Sequence, residues 1–280
     1  MSQEFKKCRT NVLFVSRQIT PEIGQVMTWL NADSLFNPDH FDAPVIGIGA
    51  RLSNHDSGLH HHLRGQLLFT QQGCVRITLE HKLCMLPAAR AAWIPPGIAH
   101  RAVMQKAVEY RSLYLSPELS RELAHEVRVI SVSPLLRAVL ENICEAPFDT
   151  DWNQGKHAHL IALCLSEMAE ASTHPMLLPL PIDRRLTSLL GTLDQLPPDL
   201  QTLVERVGAS EKTIGRIFLR ETGMGYQQWR QQWRLLRAIE LLATGRSLDH
   251  CAFELGFSRD SALIAFFKQM TGRTPRAYFK

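Results

Sequence analysis

LQTLVERVGASEKTIGRIFLRETG, from Leu200 to Gly223, and LDHCAFELGFSRDSALIAFFKQMTG, from Leu248 to Gly272, are two copies of one pattern. Leu200, Val204, Val207 and Gly208 fall on Leu248, Ala252, Leu255 and Gly256 at an offset of 48 residues. Beyond the turn the offset is 49, which brings Ile214, Phe218, Thr222 and Gly223 onto Leu263, Phe267, Thr271 and Gly272. One residue inserted in the second turn accounts for the change. Each copy reads as a short apolar helix, a glycine, a serine and a second helix. The glycine suits a tight corner where the backbone turns left-handed, a conformation that penalises a side chain. Ser210 and Ser258 are placed to cap the second helix by accepting its free N–H groups. This is a helix-turn-helix pattern, whose second helix enters the major groove. A single match is weak, and two related copies are far more specific.

Between the copies lies YQQWRQQWRLLRAIELLAT, Tyr226 to Thr244, with Trp229, Trp233, Leu236, Ile239 and Leu242 at helical spacing. A helix of that length spans roughly 28 Å. With the added offsets of the two units it would set the recognition helices about 34 Å apart, one turn of duplex. The tryptophans read as core. Charge supports the assignment: 15 Lys+Arg stand against 10 Asp+Glu from residue 181 onward, and 16 against 17 before it. The surplus positive charge of the chain therefore belongs wholly to the part with the repeat, which points to a polyanionic partner for that part.

With its ending TGRTPRAYF, the Gly256-Phe257-Ser258 turn, the Phe266-Phe267-Lys268 run and the Pro275/Tyr278 tail, residues 181–280 resemble the AraC/XylS transcription regulators. In the first recognition helix Ile214, Ile217 and Phe218 are expected to face the core. Lys212, Thr213, Gly215, Arg216 and Arg220 then face outward beside Glu211. Lys212 and Arg216 share a face and are the leading base-edge candidates, arginine to guanine being the commonest specific contact. The resemblance implies base contacts at Lys212, Gly215 and Arg216. In the second helix Leu263, Phe266, Phe267 and Met270 are assigned to the core, which leaves Arg259, Asp260, Ser261, Ile264, Ala265 and Lys268 toward DNA. Ala265 matches Arg216, so this half reads thymine methyls through Ile264 and Ala265, or mainly holds phosphates.

The amino-terminal part has a different grain. Short apolar runs with Gly and Pro between them (VIGIGARL, QLLFT, CVRITL, AAWIPP, YRSLYL) predict a sandwich or small barrel over residues 45–115. From Ser116 the pattern is helical: SPELSRELAHEV, SPLLRAVLENICEA, and GKHAHLIALCLSEMAEAS with a stripe at Leu160, Leu163, Cys164 and Met168. STHPMLLPLPID, with its three prolines, reads as a linker. The expected class is α+β, divided into a barrel (1–115), a helical region (116–171), a linker (172–183) and a DNA-binding domain (184–280).

Within the barrel, GLHHHLRGQLLFTQQG runs from Gly58 to Gly73. An unbroken strand would aim His60, His62 and Gln66 into one interior and His61 away. WIPPGIAHR adds His100 from another strand. The spacing resembles the two cupin motifs, whose metal site uses two histidines, a glutamate and a later histidine. Here Gln66 stands at the glutamate position and Ala89 where the second motif has its leading glycine. A neutral amide oxygen can ligate but neutralises no charge. Three readings are open: a divalent transition metal on His60, His62 and His100 with or without Gln66; a metal-free effector pocket; or an oxygenase or isomerase centre. No catalytic carboxylate pair, nucleophile motif or phosphate loop accompanies the histidines.

The six cysteines form no CxxC pair, MSQEFKKCRT does not continue into a signal-peptide core, and no apolar run reaches the roughly 18 residues of a membrane span. The expectation is a cytoplasmic regulator, not an enzyme, with buried structural thiols. A barrel joined to paired helix-turn-helix units is an arrangement the resemblance ascribes to regulators that bind promoter DNA. It implies a small-molecule or metal effector in the barrel, a homodimer through the helix of Leu160, Ile161, Leu163 and Leu165, RNA polymerase as a further partner, and no membrane. The alternative is a cupin metalloenzyme carrying an accessory DNA-binding domain.

Overall fold

A computed structural model describes residues 29–30, 36–106, 108–191 and 193–279. MSQEFKKCRT, with Cys8, lies outside them, as does most of the barrel's expected amino-terminal segment. The strands come first: β1 (Trp29–Leu30), β2 (Val45–Leu52), β3 (His55–Asp56), β4 (Gly65–Thr70), β5 (Cys74–Leu79), β6 (Lys82–Pro87), β7 (Arg90–Ile94), β8 (His100–Met104) and β9 (Val108–Leu115). They form two sheets, β1-β2-β9-β4-β7 and β6-β5-β8-β3, each extended by a strand from later in the chain.

Alternation along β4 decides what each face meets. Gln66 and Leu68 turn into the space between the sheets, beside Ile46, Ile48, Ala92 and Ile94 from the same sheet and Val75, Ile77 and Leu86 from the other. Leu67 and Phe69 turn the opposite way, into a second core with Trp93, Leu113 and the helices behind the large sheet. Full burial of each such side chain contributes about 1.5–3 kcal/mol.

After β9 the helical expectation holds only in part. α1 (Pro117–Ser120) is a single turn capped by Ser116, and the rest of SPELSRELAHEV is not helix. The chain instead makes β10 (Arg128–Ser131), which pairs with β7 at the edge of the large sheet. α2 (Pro134–Cys144) starts with the Ser133 hydroxyl accepting from Leu136 N–H, and α3 (Gly155–Glu170) packs on it. The buried stripe of α3 is Ile161, Cys164 and Met168; Leu163, assigned to it from the sequence, is 37% exposed. Cys164 and Met168 are buried as expected and Leu160 is half-buried; Ile161, not Leu163, completes the face turned toward α2.

STHPMLLPLPID is not a free linker. It contains β11 (Leu177–Pro179), which pairs with β6 and completes the small sheet. The helices that follow are α4 (Thr187–Leu190), α5 (Leu200–Val207), α6 (Glu211–Thr222), α7 (Tyr226–Ala243), α8 (Leu248–Glu254), α9 (Asp260–Thr271) and α10 (Pro275–Tyr278). In α7, Trp229 and Trp233 are core as expected, and their indole N–H groups donate to the carbonyls of Pro179 (2.7 Å) and Leu193 (3.1 Å).

The outer face of the small sheet receives α7. Arg76 of β5, between inward-facing Val75 and Ile77, extends both amino groups outward. One meets Asp194, and the other donates to both oxygens of Glu240 on α7 at 2.9 and 3.1 Å. Glu240 is only 5% exposed and is also held by Arg237, which continues to Glu254 of α8. Lys106 reaches the Thr244 carbonyl at 2.5 Å. One hydrophobic cluster consequently runs without a break from Ile77 and Leu86 of the barrel to Trp229, Leu236 and Phe267.

Two stability outcomes follow from these contacts. Glu240→Ala removes the carboxylate shared by Arg76 and Arg237, leaving each only its outer partner, Asp194 or Glu254, and is expected to cost about 3 kcal/mol, read as a lowered urea midpoint. Ala89, at φ +64° in the turn between β6 and β7, occupies the left-handed region where the cupin pattern has glycine. Ala89→Gly is expected to raise stability by about 1 kcal/mol in the same assay.

Candidate DNA-binding face and histidine centre

Both helix-turn-helix units have the predicted corners. Gly208 and Gly256 lie at φ +65° and +70°, and Ser210 accepts from Thr213 N–H to cap α6. Ser258 does not cap α9: the helix begins one residue later, behind an extended Arg259, and has no side-chain cap. The inserted residue moves the serine out of capping position.

On α6 the inner face is Ile214, Ile217 and Phe218, as expected. Lys212 and Arg216 are exposed one turn apart, with Thr213 and Gly215 half-buried beside them. Arg220 is exposed but engaged: it pairs with Glu221 at 2.5 Å, and Glu221 in turn accepts the N–H groups of Ile182 and Asp183. Asp183, in the segment that leads into this domain, lies 3.9 Å from the same guanidinium. Gly215 has helical backbone, and a Cβ added there would touch no protein atom. Neither packing nor backbone conformation calls for glycine, although glycine weakens a helix interior by about 1 kcal/mol.

On α9 the inner face is narrower than predicted. Leu263 and Phe267 are buried, Phe266 packs against Phe257, and Tyr278 closes over Phe267. Met270, assigned to the core from the sequence, is 36% exposed, so the buried stripe ends at Phe267. Arg259, Asp260, Ser261, Ala265 and Lys268 are exposed, and Ile264 is half-buried.

The histidines converge by a different route from the one the sequence suggests. No strand runs unbroken from His60 to Gln66; β4 begins at Gly65. What brings the rings together is an isolated antiparallel bridge, with His60 N–H donating to the His100 carbonyl (3.0 Å) and His100 N–H to that of His60 (2.8 Å). Gly97, at φ +78°, donates its N–H to the His62 carbonyl at 2.9 Å, closing the Pro-Pro-Gly turn onto the same segment. The ligating atoms of His60, His62 and His100 lie within 4.8 Å of one another. His61 points away and is exposed.

Hydrogen bonds decide which nitrogen each ring offers. Nδ1 of His60 is 3.1 Å from the Gly58 carbonyl, Nδ1 of His62 is 2.6 Å from that of Arg64, and Nδ1 of His100 is 2.8 Å from that of Ile98. A carbonyl only accepts, so each Nδ1 carries the proton and each Nε2 keeps its lone pair. His100 Nε2 is buried with no hydrogen-bond partner among the described residues. His62 Nε2 faces Gln66 Oε1 at 3.2 Å, while Gln66 Nε2, with two protons, lies within hydrogen-bond distance of three hydroxyls, Ser112 (2.8 Å), Tyr110 (3.1 Å) and Tyr114 (3.2 Å). The Nε2 atoms of His62 and His100 thus turn lone pairs into the cluster, where a cation would take them up. Carbonyls that fix the far nitrogen are also the usual support of metal-bound histidine. The three histidines form a group able to hold a metal ion.

Burial lowers the His62 pKa and pulls that of His100 down to about 4, from 6.5. Neutral imidazole is the ligating form.

A barrel with an inward polar centre, packed against two helix-turn-helix units, defines a DNA-binding regulator with a ligand domain. Residues 42–178 match the family described as AraC-like ligand binding domain, and residues 203–280 match Helix-turn-helix domain. The chain belongs to the AraC family of transcription regulators. It is 27% identical over 248 residues to the HTH-type transcriptional regulator NimR of Escherichia coli K12, covering 87% of this chain and 90% of that one. It is also 34% identical over 103 residues to the regulator RipA of Corynebacterium glutamicum, covering 36% and 31% of the two chains. Among solved structures it is similar to the AdpA DNA-binding domain in complex with a target DNA, at 33% identity, covering 35% of this chain and 89% of that one, with a TM-score of 0.31. No helix among the described residues is long and apolar enough to cross a membrane.

The histidine pocket carries a pH signature in metal-free protein. The unfolded chain takes up a proton at His100 near pH 6.5, whereas the folded protein refuses it until about 4. Stability is therefore full above pH 6.5 and falls as pH descends through that window, by up to about 3 kcal/mol. His100→Gln is expected to flatten the pH dependence of the urea midpoint between those values.

Proposed function

We propose that this regulator is a one-component, sequence-specific switch whose promoter affinity is set by a ligand in the barrel. The observation that carries the reading is the ion chain from Arg76 through Glu240 and Arg237 to Glu254. Arg76 stands on the outer face of β5, and the next strand, β8, presents His100 on the inner face, opposite Leu79 of β5. The chain ends on α8, the first helix of the second helix-turn-helix. An occupant that shifts β8 changes the seat of α7, and with it the disposition of the DNA-binding units. Such coupling requires the occupant to bind the two arrangements with different free energies.

On the DNA side, Lys212, Gly215 and Arg216 are proposed to meet base edges. The open space at Gly215 supports a close approach of the backbone to the duplex. Thr213, Arg259, Asp260, Ser261, Ile264, Ala265 and Lys268 complete the face, and Arg220 can serve it only by leaving Glu221. A divalent transition metal is proposed at His60, His62 and His100 beside Gln66, where it would supply a Lewis-acidic point for an effector. The exposed side of α3, with Leu163, suits a homodimer contact. RNA polymerase as partner, a cytoplasmic location and the absence of turnover belong to the same proposal. The histidine centre is also what favours the alternative of a cupin enzyme, for which His60→Ala would abolish turnover and the carboxyl-terminal domain would be dispensable.

Selection of duplexes from a random pool, followed by anisotropy titration of the selected site, tests the DNA assignment. Arg216→Ala is expected to cost about 1–3 kcal/mol and to relax preference at one base pair. Gly215→Ala is expected to stabilise the fold by up to about 1 kcal/mol while weakening binding to the selected site. Equal affinity for selected and scrambled duplexes would overturn the reading.

A further inference from the structure

The chemistry around the histidine centre defines what kind of effector completes it. Three imidazoles that coordinate through Nε2 with Nδ1–H intact are neutral ligands. Gln66 is an amide, and the groups behind it are the hydroxyls of Tyr110, Ser112 and Tyr114. This donor set brings no negative charge to a buried dication. Asp39, close to the same segment, stays outside the donor set: both its oxygens accept the N–H of Leu63, at 2.9 and 3.1 Å, and its charge reaches His62 only through space. A buried charge without a counter-charge is costly, and a ligand that carries the missing charge gains what the protein lacks.

The surroundings add two features. The Tyr114 ring stands edge-on to His62, with centroids 5.2 Å apart, and its hydroxyl is bonded within the group of Gln66, Ser112 and Tyr110. Phe36 lies 5.6 Å from Tyr114 and stacks on Phe41, forming an aromatic wall next to the polar centre. At the rim, Leu59, Leu63 and Ile98 are 72%, 66% and 36% exposed, and each sits within two residues of a clustered histidine. Exposed aliphatic side chains around a polar centre suit a ligand with a charged head and an apolar body.

We propose that the effector is a small anionic oxygen donor, a carboxylate or enolate on an apolar or aromatic body, which binds by completing the charge of the metal-loaded centre. The inference rests on the metal assignment above. Gln66 is the residue that leaves the charge position open to a ligand. No bond is made or broken in the effector.

The test uses full-length protein, stripped with chelator and titrated with Co2+ alone, followed by visible absorption. Benzoate is then compared with benzamide, its neutral counterpart of similar shape. One Co2+ per chain is expected, lost in His62→Ala and in His100→Ala. Benzoate is expected to shift the Co2+ bands and tighten Co2+ binding by at least about tenfold, with benzamide inert. Gln66→Glu is expected to raise Co2+ affinity about 10–100-fold without benzoate and to abolish the benzoate effect. Circular dichroism checks that each variant is folded; if Gln66→Glu does not fold, the benzoate and benzamide comparison on the unaltered protein decides. Stoichiometric Co2+ binding with benzoate and benzamide indistinguishable overturns this proposal and leaves the metal assignment standing. Absence of Co2+ binding at neutral pH, or binding that survives both histidine variants, overturns both.

Discussion

The arrangement of this molecule depends on Glu240. A carboxylate buried between the barrel and a helix is stable only while charges of opposite sign reach it, and here two do, Arg76 from the sheet and Arg237 from its own helix. Charges so placed contribute little net stability over a well-packed apolar contact, because desolvation offsets most of the attraction. What they supply is geometry. Apolar surfaces slide past one another at small cost, whereas Arg76 and Glu240 meet in one register, and the indole of Trp229 donating to Pro179 marks the same register from the other end of α7. The helix joining the two DNA-reading units is thus also the helix docked on the ligand domain.

That double duty bears on how a signal would travel. β5 carries Arg76 toward α7, and its neighbour β8 carries His100 toward the interior. One layer of sheet, in which β5 and β8 are neighbours, separates the histidine centre from the ion chain. Packed interiors transmit displacement because they have few voids to absorb it. The histidine centre itself is held by backbone: three carbonyls orient the three rings, and one bridge between His60 and His100 aligns the segments that carry them.

Much of the carboxyl-terminal half was legible because its signals are local. A glycine at a left-handed corner, a serine three residues before an N–H it can accept, and an apolar residue every third or fourth position are each set within a few residues. The same locality explains the misses. Met270 continues the helical period of α9, but whether a period faces protein or solvent depends on what the rest of the chain packs against it. Leu163 likewise belongs to an apolar stretch whose buried register was chosen by α2. RVIS and MLLP carried no strong strand signal, being short, and they became strands because β7 and β6 presented unpaired edges.

The sequence by itself determined the duplicated helix-turn-helix, the joining helix with its core tryptophans, the α+β division and the three histidines that count. Each rests on periodicity or turn chemistry that a chain expresses wherever it folds. Tertiary structure alone decided that α7 docks on the small sheet through Arg76 and Glu240, that the linker is a strand, that Arg220 is held by Glu221, and which nitrogen each histidine presents. These are contacts between residues as far apart as 76 and 240, or depend on the direction of a backbone carbonyl. Neither leaves a mark in residue order, because the energy resides in the pairing and not in either partner.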